Sequence, residues 1–195
     1  MPNRPVQLLL LALLALLALF GCDPQHDQYR QAMLRILHGD PATGARMLTA
    51  LADNGYAPAQ FRLGLLYRLG LGVARHPYRA AYWFDKAARQ SDVGGQYGLA
   101  QAYQRGDGVP KSPELAFQWF HRLAERGYAP AQYQVALAYA EGQGITRDNP
   151  AAVQWLKRAA TDGHPDAAHR LAHAYRNGEL GLLPDQQQAE KWEHK

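Results

Sequence analysis

The 195-residue sequence predicts an all-α protein, an α/α solenoid built from stacked helix-turn-helix units. Three observations carry that prediction. Tyr67, Tyr103, Tyr139 and Tyr175 recur at intervals of 36, as do Gly70, Gly106, Gly142 and Gly178. Trp83, Trp119 and Trp155 keep the same step, and Trp192 falls one residue late because the loop after Gly178 is one residue longer. Within each period, apolar residues fall twice at helical spacing, on either side of a Gly-x-Gly turn. A fixed period of this length marks a repeat array whose units bury their apolar faces only against neighbours. Such an array offers a stacked binding surface more readily than a catalytic pocket.

Residues 1–21 read as an export signal. Arg4 and the chain amine precede an apolar run from Leu8 to Phe20, and its 13 residues fall short of the roughly 20 that a membrane-spanning helix needs. The run ends Leu19-Phe20-Gly21-Cys22, which resembles the lipobox of bacterial lipoproteins and implies lipidation of Cys22. A lipidated terminus anchors a chain without crossing the bilayer. The expected location is therefore the bacterial cell envelope, on the periplasmic side, and Asp23 resembles the inner-membrane retention signal of enterobacterial lipoproteins. Residues 22–27 are expected to be a tether. Cys22 is the single cysteine, which excludes an intramolecular disulfide and a thiolate metal cluster. Without Arg4 the chain carries 20 basic and 17 acidic residues, a net +3 too small and too evenly spread to recruit nucleic acid.

The units follow in order. Residues 28–56 read as an N-terminal capping pair: a helix from about Gln28 to His38, a short Gly39-Asp40 joint, and a second helix from Pro41. Three full units occupy 57–92, 93–128 and 129–164. Their first helices carry one stripe each, Ala59, Leu63, Gly64 and Tyr67 in the first unit and its counterparts 36 and 72 residues on. Their second helices carry another, Ala80, Trp83, Phe84, Ala87 and Ala88 in the same unit. Gly55, Ser91, Gly127 and Gly163 suit the left-handed residue that ends a helix, and Ser112 and Asn149 are expected N-caps. Residues 165–195 form a degenerate capping unit, in which Ala168 replaces a Gln and Leu180 replaces the second loop glycine.

The segment Ala59-Gln60-Phe61-x-Leu63-Gly64-x-x-Tyr67-x-x-Gly70-x-Gly72-Val73, followed by Ala80-x-x-Trp83-Phe84-x-Lys86-Ala87-Ala88, closely resembles the Sel-one-like repeat family. These are longer-looped relatives of tetratricopeptide repeats, and the likeness covers residues 41 to 192. The resemblance implies a right-handed superhelix that serves complex assembly, as relatives do in exopolysaccharide secretion, envelope stress signalling or toxin neutralisation. A cysteine-rich branch associated with β-lactams depends on repeated disulfides, which one cysteine cannot form.

Positions that differ between copies are where binding can be encoded. One set lies a residue away from the packing stripe of the first helices: Phe61, Leu65, Arg68 and Leu69; Tyr97, Gln101, Gln104 and Arg105; Tyr133, Leu137, Ala140 and Glu141; His169, His173, Arg176 and Asn177. In related tetratricopeptide arrays the equivalent positions line a concave groove that holds a peptide or a partner's helix. The aromatics at 61, 97 and 133 suit that role and core packing equally. His169 and His173, four apart with His164 before them, could share a metal, yet no Glu follows the first His as in zinc proteases and Asp166 is the only nearby carboxylate, so groove lining or a wet surface is the preferred reading. The Gly-x-Gly turns lack the preceding strand and following Lys of a phosphate loop. No Gly-x-Ser-x-Gly and no catalytic cysteine appear, so the chain reads as non-enzymatic and without cofactor. The expected partner is another envelope protein; the rival is an anionic envelope polymer, met by Arg68, Arg105 and Arg176 with Tyr97 and Tyr133.

Overall fold

The computed structural model describes residues 23–193; the apolar run, Cys22 and the last two residues lie outside them. The described chain is an all-α solenoid: α1 (Pro24–Leu37), α2 (Pro41–Asp53), α3 (Ala57–Leu69), α4 (Pro77–Arg89), α5 (Val93–Arg105), α6 (Pro113–Glu125), α7 (Ala129–Glu141), α8 (Asn149–Thr161), α9 (Pro165–Asn177) and α10 (Gln186–Glu193). Each helix packs chiefly on the next in sequence. Local chemistry explains the starts. Proline sits at the first turn of most of these helices, where its missing N–H costs nothing. Asp40 caps α2 by accepting from Thr43 N at 3.1 Å, and the Thr43 hydrogen bonds hold its carboxyl below the usual range.

Two starts differ from the sequence reading. The stretch 24–27, expected as tether, is the first turn of α1, because Asp23 accepts from Gln25 N at 3.0 Å and Pro24 follows it directly. At α8 the cap is Asp148, which accepts from Ala151 N at 2.9 Å; Asn149 is already helical and takes Arg147 Nε instead. Ser112 caps α6 as expected.

A clasp closes every long loop. The N-cap N–H of the second helix donates to the carbonyl of the repeated tyrosine: His76 to Tyr67, Ser112 to Tyr103, Asp148 to Tyr139 and Asp185 to Tyr175, at 2.8–2.9 Å. The second loop glycine then rests on the unit before it. Gly72, Gly108 and Gly144 have φ between +72° and +77°, and a Cβ at any of them would lie 2.2 Å from the carbonyl oxygen of Pro41, Pro77 or Pro113. Only glycine fits both demands.

The seam between units also holds a buried amide. Gln60, Gln96 and Gln132 are 3–4% exposed, and each Nε2 donates to the last-turn carbonyl of the preceding second helix, Ala52, Ala88 and Ala124. Gln90 and Arg126, the C-caps of the second helices in the same units, donate to Oε1 of Gln60 and Gln96. In the third seam the C-cap is Asp162, which can only accept, so it takes a bond from Gln132 Nε2 at 2.8 Å and leaves Gln132 Oε1 buried without a partner.

Substitution of Gly144 by Ala is expected to cost about 3 kcal/mol, from left-handed strain plus overpacking against Pro113, whereas Gly163→Ala, with open space around it, should cost about 1 kcal/mol. Urea midpoints check the ranking. Asp162→Gln restores the donor that Gln90 supplies in the first seam and removes an acidic charge from a helix C-terminus, so it should stabilise the protein by about 1 kcal/mol in the same assay.

Candidate partner-binding face

Where two successive first helices straddle the start of the second helix between them, a slot opens. The first is lined by α3, α4, α5 and their loops, with Arg68, Arg75, Phe84, Gln101, Arg105 and Asp107 around it. The second is its translate. Every residue lining the first is matched by the residue 36 positions on in the second, among them Gln104, Lys111, Phe120, Leu137, Glu141 and Gln143. The period that builds the scaffold thus builds the sites as well, and side-chain substitutions within the frame make the two slots different.

Size is the first difference. Arg68 Nη1 donates to Gln101 Oε1 at 2.8 Å and its guanidinium lies 5.6 Å above the centre of the Phe84 ring, so the long side chain nearly fills the first slot and leaves about 10 Å³. At the equivalent place Gln104 is shorter and bonds Gln134 at 3.2 Å, leaving a cleft of about 400 Å³. Charge is the second difference. The first slot gathers Arg68, Arg75 and Arg105 against Asp107, and none of the three guanidiniums forms an ion pair among the described residues. Burial, and then the nearby Arg105 charge, lowers the Arg68 pKa from its ordinary value. In the second slot Lys111 and Glu141 balance, and Leu137 and Phe117 stand where the first has Gln101 and Ala81.

The residues singled out by sequence divide accordingly. Arg68, Gln101 and Arg105 meet in the first slot, and Gln104, Leu137 and Glu141 meet in the second. Leu69 is 66% exposed outside both, and Leu65 is half-buried against the Phe84 cluster. The three aromatics are largely taken up by packing, Phe61 across a seam and Tyr97 and Tyr133 within their own units. The Phe61 ring packs where Gly94 leaves space, Tyr97 meets Phe120 and Tyr128 edge-on at 5.3 and 5.5 Å, and Tyr133 stacks on His164 at 4.6 Å. Burial raises the phenol pKa of Tyr97 and of Tyr133. In the last unit Arg176 is ion-paired with Glu193, and His173 Nδ1 lies 3.1 Å from Glu179 beside Asn177, while His169 is exposed. No group of three or more His, Cys, Asp or Glu placed to hold a metal occurs among the described residues.

Sequence reasoning missed Arg75, Asp107, Lys111, Phe117 and Gln143, because it looked along the first helices alone. The signal that could have found them is the same 36-residue step read across loops and second helices, at places where the residue changes size or charge.

This is the architecture of an all-α repeat solenoid whose open face is assembled at the seams, a fold that suggests a protein–protein interaction scaffold. The Sel1 repeat model matches residues 57–92, 93–128, 129–164 and 165–192, and the chain belongs to the Sel1 repeat family, generally a non-enzymatic interaction fold. Among solved structures it is similar to a Sel1 repeat protein from Oxalobacter formigenes, with 26% identity and a TM-score of 0.78 over 86% of this chain and 68% of that one. It is similar also to c5321, a protective antigen present in uropathogenic Escherichia coli strains, with 29% identity and a TM-score of 0.78 over 86% of this chain. The chain spans 37% of that antigen's length. A comparison with curated protein sequences finds no match.

Proposed function

We propose that this protein is a lipid-anchored adaptor of the bacterial cell envelope that holds a segment of another envelope protein across its slotted face, in the assembly or regulation of a complex. The observation that carries the reading is the translated pair of slots, equal in frame and unequal in size and charge. Such a surface can recognise side chains in a defined order along an extended partner, each entering its own site.

The anchor follows from the lipobox-like run ending at Cys22, which lies outside the described residues. Among the described residues no helix is long and apolar enough to cross a membrane. The start of α1 lies beside the start of α3, with the Tyr29 and Tyr56 ring centres 5.7 Å apart. The end of α3, with its loop, rests on Pro41 at the other end of α1. The slots gather residues from the ends of the first helices and the loops that follow, so an anchor at Cys22 would hold the opposite edge to the bilayer and turn the slots away from it. The polymer reading draws on the same arginines, but Arg176 is engaged by Glu193 and the rings of Tyr97 and Tyr133 are packed against Phe120 and His164, which favours the adaptor.

In cell fractionation Cys22→Ala is expected to move the protein from membrane to soluble fraction with its circular dichroism unchanged. A photo-crosslinker at Leu137 should capture one discrete protein band that the same crosslinker at Thr146, on an exposed loop, does not. Persistent membrane association of the variant would count against the anchor, and identical capture from both positions against the face.

A further inference from the structure

We propose that the two slots are read together by one extended acidic peptide segment of the partner, a carboxylate meeting the rim of the first and a bulky apolar side chain filling the second. This rests on the adaptor reading and names the chemistry of its partner. The first slot is too full to admit a large group, and it presents three guanidiniums with a single carboxylate among them. Arg68 is already held by Gln101 and by the face of Phe84, so little further ordering is needed for it to meet an anion. Arg75 is steadied by donating Nε to the Arg68 carbonyl at 3.3 Å, and Arg105 is exposed beside them. A carboxylate reached by Arg105 and Arg68 would gain charge-assisted bonds without displacing an existing ion pair.

The second slot asks for something else. Its floor is Phe117, Phe120 and Ala116, its charges cancel, and its volume of about 400 Å³ accommodates a leucine or an aromatic ring. The floor is rigid, since Phe117 meets Tyr139 edge-on at 5.4 Å and His121 at 5.5 Å. The slots are translates of each other one unit apart, so the occupant carries an acidic residue and a bulky apolar residue at one fixed spacing. A uronate polymer supplies carboxylates for the first slot and nothing for the second, which is why the pair of slots points to a peptide.

The test is selection of random dodecapeptides on the full-length protein purified in detergent, with sequencing of the bound pool. Acidic residues should be enriched about tenfold, the factor a charge-assisted hydrogen bond supplies, with Leu, Phe, Tyr or Trp at a fixed offset. Arg105→Glu, at an exposed position, should exchange the acidic preference for a basic one and leave the apolar preference. Leu137→Gln should weaken the apolar preference and leave the acidic one. A pool without acidic enrichment, or one unchanged by Arg105→Glu, overturns this proposal while leaving a peptide-binding adaptor standing. Selection of no peptides overturns both, and binding of polygalacturonate that Arg105→Glu abolishes would assign the first slot to a polymer.

Discussion

A chain of paired helices has no central core to organise it, so its geometry is decided at the seam where one unit meets the next. Here that seam is set by the contact between the second loop glycine of one unit and the first proline of the second helix in the unit before, with room for no side chain between them. The tyrosine carbonyl clasp fixes the loop that delivers this glycine, and the buried glutamine ties the helix ends on the far side of the seam. The repeated contacts keep the three full units in the same register. Constant register is what allows two slots to be translates of each other and lets residue changes alone make one basic and full, the other apolar and open.

The scaffold was legible because its determinants are periodic and local. Helical stripes, left-handed glycines and prolines at first turns announce themselves at fixed steps, and even Ser91, with φ +64°, could be placed by its glycine counterparts. The start of α1 was missed because Asp23-Pro24, a sound cap and first turn, stood next to the lipobox-like run and was read with it. Adjacent Asp148 and Asn149 both suit a cap, and side-chain geometry alone distinguishes them.

The site was legible only in part, for a physical reason. A slot at a seam is a property of three elements at once, and its volume depends on side-chain length, as the Arg68 and Gln104 pair shows. Sequence can name variable positions on one helix, but it does not show that Tyr97 and Tyr133 spend their rings inside their own units while Arg105 is left free of ion pairs. The glutamine series carries the same lesson. Gln132 looks like its two counterparts, and only the acceptor-only Asp162 at the C-cap of the same unit leaves its Oε1 buried without a partner.

If each seam is self-sufficient, one whole unit can be removed without harming the others. The direct measurement is thermal unfolding, by circular dichroism, of a chain from which residues 129–164 have been deleted, joining α6 and its turn to α9. The account predicts a cooperative transition with helical signal per residue unchanged and a lower midpoint, as expected for a shorter stack with fewer seams. A broad, non-cooperative melt with loss of helix would contradict it, because it would mean that order depends on the whole chain and not on the contact between neighbours.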